Sequence, residues 1–556
     1  MKFSNKLLSQ TVTQLCLAKG INKIVISPGS RNAPLTIGFT EYPDFKNFSI
    51  VDERCAAFFA LGMAQQLQQP VALVCTSGSA LLNYFPAVAE AFYSDIPLVI
   101  LSADRPPELV EIGDGQTIQQ ENVYGDHVLY AANCKEGEAH QVYNETEINI
   151  ALNTAIELKG PVHINVPFSE PLYETINDLS IRPQHVSARA FIAENLEENT
   201  LDTFLKSWNT SSKKMVLVGV LAPNSIEEKY IEFLAKDPSV LVFTETTSNL
   251  HNHHFVPAID QLISSLTETE LKALQPEVLL TFGGMIVSKR IKAFLRKFQP
   301  NIHWHIDPKK AYDTYFALTY HHRNTPNGFL KLLESKATSV ASDYQAHWLS
   351  VRKHRLAQHA VYEEKIPFSD FKVFAKIFKN IPANFQLQLA NSATIRYAQL
   401  FNIAQSIDVF CNRGTSGIDG STSTAIGAAV VNQQPTLLVT GDLSFFYDSN
   451  ALWNNYIPPS FRIIIVNNSG GGIFRILPGE KNEAHFSTFF ETNHSLTAKE
   501  LSKLYKFEYS RAATEEELSS KLNNFFANSD QPKILEVFTP SEVNDKILLS
   551  YFKFIA

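Results

Sequence analysis

Short apolar runs that end in Gly, Ser, Asp or Pro, each followed by helix-like spacing of apolar positions, recur along the chain. In the first third they are "KIVISPGSR", "FSIVDER", "VALVCTSGSA", "LVILSADRP" and "VHINVPFSEP". A polar stretch around "SARAFIAENLEENT" precedes a second set, "KMVLVGVLA", "SVLVFTETTSN", "EVLLTFGGMIVSKR" and "NIHWHIDP". The charged segment "DYQAHWLSVRKHRLAQHAVYEEK" reads as a connecting helix. Beyond it come "ANFQLQLANSATIR", "IDVFCNRGTSGIDG", "PTLLVTGDLSFFYD", "FRIIIVNNSGGGIF" and "PKILEVFTP". Apolar strands alternating with helices predict parallel sheets buried on both faces, with ligand-facing loops at the strand ends. The pattern therefore predicts an α/β protein of three doubly wound parallel-sheet domains, over residues 1–185, 190–345 and 360–556, without a short tandem repeat.

One junction in this pattern is unusual. In "SIVDERCAAFFALGMA" an apolar run meets Asp52 and Glu53, and the helix that follows is apolar on nearly every face. An acid at the head of a buried helix either caps it, because free N–H groups and the positive dipole end attract carboxylates, or serves chemistry.

Composition narrows the picture. With 556 residues, 45% hydrophobic and 19% charged, the chain has the make-up of a globular enzyme of several domains. A net charge of -8 argues against a general nucleic-acid or membrane surface, so any anion site has to be built locally. Cys16, Cys55, Cys75, Cys134 and Cys411 are scattered and odd in number, which indicates neither a disulfide framework nor a thiolate metal site and fits a reducing cytoplasm. The start, "MKFSNKLLSQTVTQLCLAKG", reads as an amphipathic helix ending at Gly20 and not as a signal peptide. No run approaches the ~18 apolar residues of a membrane span.

The strongest chemical signal lies in the third set. One strand ends in Gly441-Asp442 and the next in Asn467-Asn468-Ser469-Gly470. Neighbouring parallel strands would deliver a carboxylate and an amide oxygen to one sheet edge, an oxygen-only donor set for a hard divalent ion completed by phosphate oxygens. Ser444 and the N–H groups of the next helix start suit the phosphates. The "HNHH" of residues 251–254 lacks i, i+4 spacing and reads as a solvated loop. His303 and His305 share one strand face, and "SGGGIF" lacks the dinucleotide pattern G-x-G-x-x-G.

The Gly441-Asp442 and Asn467-Asn468 pair resembles the motif of thiamine diphosphate enzymes. That resemblance implies Asp442, Asn468 and the Gly470 carbonyl as ligands of Mg2+ or Mn2+ against the diphosphate. Gly441, Leu443, Ser444, Ser416 and Gly417 then belong to the cofactor site. The general motif has Gly where this chain has Leu443, and "GDLS" is similar to one branch, the 2-succinyl-5-enolpyruvyl-6-hydroxy-3-cyclohexene-1-carboxylate synthases of menaquinone biosynthesis. "ISPGSRNAPLT", "DERCAAFFALG", "TSGSALLNYFPAVAEA", "SADRPPEL", "GGMIVSKR", "NSATIR" and "NRGTSGIDG" carry the same resemblance through all three domains.

Members of this branch decarboxylate 2-oxoglutarate on thiamine diphosphate and add the succinyl group to isochorismate. By resemblance Glu53 is the acid that hydrogen-bonds the pyrimidine N1', with Asp52 its structural neighbour, and Ile418 is the apolar wedge that bends the cofactor. Both substrates are dicarboxylates, for which Arg is the suited partner. The resemblance turns Ser30, Arg31, Arg105, Gln116 and Lys289 toward isochorismate, and Ser392, Arg396 and Arg413 toward the succinyl donor. Many relatives carry Asn where Gly115 stands. Relatives also place Glu53 of one subunit over cofactor held by another, which implies a homodimer or dimer of dimers with interfacial active sites. Two other readings predict different behaviour. An acetolactate-synthase-like carboligase would take small neutral acceptors and need no cluster of basic residues, and a nucleotide-binding regulatory protein would not bind thiamine diphosphate.

Overall fold

The apolar runs become the strands of three six-stranded sheets in which every neighbouring pair is parallel. The structure, a computed structural model, describes residues 2–194, 196–476 and 485–556. The first sheet runs Lys46–Ser49, Lys23–Ile26, Val71–Cys75, Leu98–Asp104, Val162–Pro167, Ala131–Asn133. The third runs Val409–Cys411, Gln386–Leu389, Thr436–Gly441, Arg462–Asn467, Lys533–Phe538, Glu508–Ala512. In chain order both read second, first, third, fourth, sixth, fifth, so the two outer units share one topology. The middle sheet differs, running Phe255–Val256, Val240–Phe243, Lys214–Val218, Val278–Phe282, Ile302–Ile306, Tyr320–His322.

The strands the pattern does not predict, Ala131–Asn133, Phe255–Val256, Tyr320–His322 and Glu508–Ala512, all lie at sheet edges and are short or polar. Central strands such as Val71–Cys75 and Val278–Phe282 are buried at every position, which is why they stand out as unbroken apolar runs. The run in "FSIVDER" ends earlier than its apolar residues do. The strand stops at Ser49, and Val51 lies in the turn at 42% exposure.

Apart from the short antiparallel pair Phe3–Ser4 and Thr175–Ile176, the strands are parallel, so in the three six-stranded sheets their carboxyl ends gather along one edge, with the first helix turns that follow them. In the middle sheet the chain order reverses between Lys214–Val218 and Val278–Phe282. A cavity of about 380 Å³ opens there, with Gly219, Gly283, Lys292 and Arg413 on its wall.

The outer units are joined by two helices. Glu53–Leu67, buried from Cys55 to Ala64, packs on Ser421–Val431, and a single core holds Phe58, Phe59, Ala425, Ile426 and Phe445. Their backbones approach closely at two glycines. A Cβ on Gly62 would lie 2.0 Å from Thr424 O, and one on Gly427 2.0 Å from Phe59 O. Gly427→Ala therefore overpacks a backbone contact that cannot yield as a side chain would, and is expected to cost about 1–3 kcal/mol, read as a lower thermal midpoint. An unchanged midpoint would show that the two helices separate easily.

Candidate active site

Asp52 and Glu53 differ in their surroundings at this junction. Asp52 is the N-cap, with Oδ1 accepting from Cys55 N at 3.1 Å and Oδ2 from Asn450 Nδ2 at 2.9 Å. Glu53 is not the N-cap. Its Oε2 accepts from Asn83 Nδ2 at 3.4 Å, and its carboxyl also faces its own backbone N–H. Burial raises the Glu53 pKa, and the Asp52 charge adds to the rise. Arg54 and Cys55 reach Tyr447 O and Asp448, so the head of this helix is stitched to the segment that follows the Asp442 helix.

The Asp442 edge is built by the pairing of Thr436–Gly441 with Arg462–Asn467, in which Gly441 lies beside Val466. Asp442 starts the helix Asp442–Tyr447, accepting from Leu443 N at 2.7 Å and from Gly470 N at 3.0 Å. A Cβ at Gly470 would lie 2.6 Å from Glu491 O, so this strand end requires glycine. The paired asparagines face different surroundings. Asn467 donates to Glu536 Oε1 and Leu496 O, whereas Asn468 donates to Asp370 Oδ2 at 2.9 Å. Asn468 Oδ1 is buried and has no hydrogen-bond partner. A buried acceptor without a donor beside a buried carboxylate is the arrangement a hard cation completes, so the residues present fit a divalent ion. His494, which carries no sequence signal, stands 3.3 Å from Asp442 Oδ2, and that carboxylate raises its pKa.

Ser444 Oγ donates to Ile418 O at 2.6 Å, tying the loop of Ser416, Gly417 and Ile418 to the start of the Asp442 helix. The Ile418 side chain is 36% exposed, and Ser416 has φ 62, in the left-handed region. The base of this loop is clamped from the first unit by Glu90, 1% exposed, which accepts from Gly414 N, Thr415 N and Thr415 Oγ1 at 2.7, 2.7 and 2.8 Å. Sequence reasoning missed Glu90, although an acid inside the apolar "YFPAVAEA" was a visible signal.

The basic residues form two groups. At the end of the first sheet Arg31 donates to Phe168 O at 2.7 Å and pairs with Glu170 at 3.2 Å, while Arg105 donates to Gly115 O at 2.7 Å and pairs with Asp114 at 3.2 Å. Ser30 is exposed close by. Gly78, at φ 84, backs onto the main chain of Gln116, where a Cβ would meet Gln116 O at 3.1 Å. The second group joins the middle and third units. Arg396 donates to Ser392 O, and Arg413 donates to Asn391 Oδ1 at 2.7 Å while its buried Nε has no partner. Burial lowers the Arg396 pKa, and Arg413 lowers it further against the opposing charge of Asp260. Lys289 begins the helix Lys289–Lys297 on this side: burial lowers the pKa of Lys292, Glu245 opposes, and Arg413 and Lys289 add to the fall. Lys292 therefore feels both Lys289, from its own helix, and Arg413, from the third unit.

Two acids missing from the sequence reading, Glu245 buried and Asp260 half-buried, hold that segment. Glu245 accepts from Val287 N and Ser288 N at 2.7 and 2.8 Å, and burial pushes its pKa up to about 7. Asp260 accepts from Ser288 Oγ. Of the histidines singled out in the sequence, His303 Nε2 and His305 Nδ1 bond Thr281 Oγ1, with His303 Nδ1 buried and unpartnered, and in "HNHH" the Asn252 side chain bonds Glu232 and accepts from His254 N.

Three family profiles match the chain: the N-terminal thiamine pyrophosphate binding domain of thiamine pyrophosphate enzymes over residues 7–127, their middle domain over 186–389 and their C-terminal thiamine pyrophosphate binding domain over 392–537. The chain is 56% identical over 546 residues to a protein of Flavobacterium psychrophilum, with 98% of each covered. It is 53% identical over 577 residues to one of Christiangramia forsetii, with 100% of each covered. A protein of Porphyromonas gingivalis is 39% identical over 570 residues, 100% of this chain and 98% of its own. All three carry the name 2-succinyl-5-enolpyruvyl-6-hydroxy-3-cyclohexene-1-carboxylate synthase. With a matching fold, an acid at the head of a buried helix and a strand-end pair fit for a cation, the chain belongs to the 2-succinyl-5-enolpyruvyl-6-hydroxy-3-cyclohexene-1-carboxylate synthase family of thiamine diphosphate enzymes.

Proposed function

We propose that this protein decarboxylates 2-oxoglutarate on thiamine diphosphate and adds the succinyl group to isochorismate in a 1,4 sense, yielding 2-succinyl-5-enolpyruvyl-6-hydroxy-3-cyclohexene-1-carboxylate for menaquinone biosynthesis. The observation that carries the reading is the division of labour at residues 52 and 53: Asp52 caps the helix, so the Glu53 carboxyl, its pKa raised by burial, is available to a ligand.

Thiamine diphosphate, when bound, supplies the thiazolium carbon at which a 2-oxoacid loses carbon dioxide. Asp442, Asn468 Oδ1 and the Gly470 carbonyl would hold Mg2+ or Mn2+, with Gly441, Leu443 and Ser444 beside the diphosphate. Glu53 holds a proton between its carboxyl and the pyrimidine N1', for which a raised pKa is suited. Ile418 is the apolar support under the cofactor, and Ser416 and Gly417 shape its loop. Ser30, Arg31, Arg105, Gln116 and Lys289 bind isochorismate, and Ser392, Arg396 and Arg413 the donor. That Lys289 and Arg413 both act on Lys292 supports placing Lys289 where the two substrates meet.

The working unit in this reading is a homodimer or dimer of dimers. Glu53 and Ile418 are both part-exposed, and Val51, Leu82 and Phe85, near Glu53 and Asn83, are exposed apolar side chains that a second copy would cover. The five cysteines, all free and buried, support a cytoplasmic setting, and among the described residues no helix is long and apolar enough to cross a membrane.

The test is consumption of isochorismate and 2-oxoglutarate with and without thiamine diphosphate and Mg2+. Turnover of pyruvate with a small neutral acceptor, and none with isochorismate, would overturn the substrate assignment. Asp442→Asn removes one charge from the cation site and is expected to raise the cofactor concentration needed for half-saturation. Unchanged cofactor affinity would remove Asp442 from the ligand set.

A further inference from the structure

We propose that Asp370 is a positioning residue for the divalent cation: it holds the Asn468 side chain so that the carbonyl oxygen, and not the amide nitrogen, is presented at the strand end shared with Asp442. The inference rests on the cation site proposed above and concerns a residue outside the thiamine motif.

Asp370 is the first residue of the helix Asp370–Asn380 and is 2% exposed. It is fixed by three bonds. Its N–H donates to Asn544 Oδ1 at 2.9 Å, its Oδ1 accepts from Thr539 Oγ1 at 2.5 Å and its Oδ2 accepts from Asn468 Nδ2 at 2.9 Å. Thr539 N in turn donates to Asn467 O at 3.0 Å, so carboxylate and strand end form one unit. A primary amide has a donor end and an acceptor end of nearly equal size, and only its partners decide which way it faces. A carboxylate accepts and does not donate, so it can face only the NH2 end. Asn468 Oδ1 is thereby turned away from Asp370 and is left buried with no protein donor. A cation ligand held ready in this way is the service that partners beyond the ligands perform at metal sites.

An Asn at 370 would lose this selectivity. With its oxygen still accepting from Thr539, its NH2 would face the NH2 of Asn468, and the Asn468 amide would turn and offer nitrogen to the cation. The experiment is calorimetric titration of thiamine diphosphate into the full-length protein at a series of Mg2+ concentrations, with thermal midpoints alongside. For Asp370→Asn the Mg2+ concentration at half-saturation is expected to rise about 10–100-fold, with binding restored at excess Mg2+. Thr539→Val removes the other bond to the same carboxylate without changing what faces Asn468. It is expected to lower the thermal midpoint and leave the Mg2+ requirement near that of the parent. Should Asp370→Asn not fold, Asp370→Ser, whose hydroxyl can also donate to Oδ1, carries the same expectation.

A parental Mg2+ requirement in the Asp370 variant, together with a raised one in Asp442→Asn, overturns the role of Asp370 alone. An equal rise in Thr539→Val also overturns it, because the effect would then be general loosening. A parental requirement in Asp442→Asn overturns the cation site itself.

Discussion

Glu53→Gln is expected to lower turnover by about 100-fold or more while leaving a folded protein that still binds thiamine diphosphate. The structure explains why fold and function separate here. The helix is capped by Asp52, and the Glu53 side chain makes a long hydrogen bond to Asn83 at 3.4 Å and faces its own backbone N–H, which the amide oxygen of Gln can still accept, so an isosteric amide removes little that holds the helix. It does remove the proton the carboxyl can share. The defect should be equal for every 2-oxoacid offered, because it precedes donor recognition. Mixing Glu53→Gln with Asp442→Asn extends the test. If Glu53 serves cofactor bound to another subunit, mixed dimers regain one intact site, and activity should return on subunit exchange. Near-normal turnover of Glu53→Gln would remove the residue from the mechanism, and absence of complementation would place both residues in the same site of one chain.

Arg396→Ala should instead discriminate between substrates, losing 2-oxoglutarate while sparing isochorismate. Arg396 and Arg413 lie close enough for one to lower the pKa of the other, and Asp260 only partly offsets them. Two guanidinium groups confined in this way call for an anion, and a carboxylate held by a bidentate Arg satisfies that demand. Loss of one partner of a desolvated charged pair costs about 2–5 kcal/mol. Donor half-saturation should therefore rise steeply, and a 2-oxoacid lacking the distal carboxylate should be turned over slowly but no worse than by the parent. Measuring donor and acceptor saturation separately decides the matter. Impaired isochorismate saturation with normal donor saturation would show that the division of basic residues is wrong, and because Lys289 and Arg413 both act on Lys292, that boundary is the one to examine.

Much of the architecture is written in short-range pattern. Strands such as Val71–Cys75 and Arg462–Asn467 are buried on both faces, so their apolar runs and the Gly, Asp or Asn that ends them are visible without knowledge of their neighbours. Four of the edge strands, Phe255–Val256 and Glu508–Ala512 among them, are short or half-exposed and leave no such trace. The two sheet orders were also invisible, because strand order depends on which faces meet and not on where each strand begins.

The proposed site divides along the same line. Asp442, Asn468, Glu53 and Ile418 are candidates legible in the sequence because a strand end or helix start places them and because they fall within recognisable motifs. The residues packed against them are not. Asp370 meets Asn468 across 98 residues of sequence, and Glu90 meets Gly414 across 324. Nothing near Asn468 in the chain decides which end of its amide faces the site, and nothing near Gly414 shows that its N–H is held by a carboxylate from another sheet. Residue type, strand and helix periodicity and the strand-end motifs are local properties that the sequence determines alone. The direction of an amide, the pKa of Glu53 and the charges gathered around Lys292 depend on dielectric and on partners brought together by packing, and only the tertiary structure decides those.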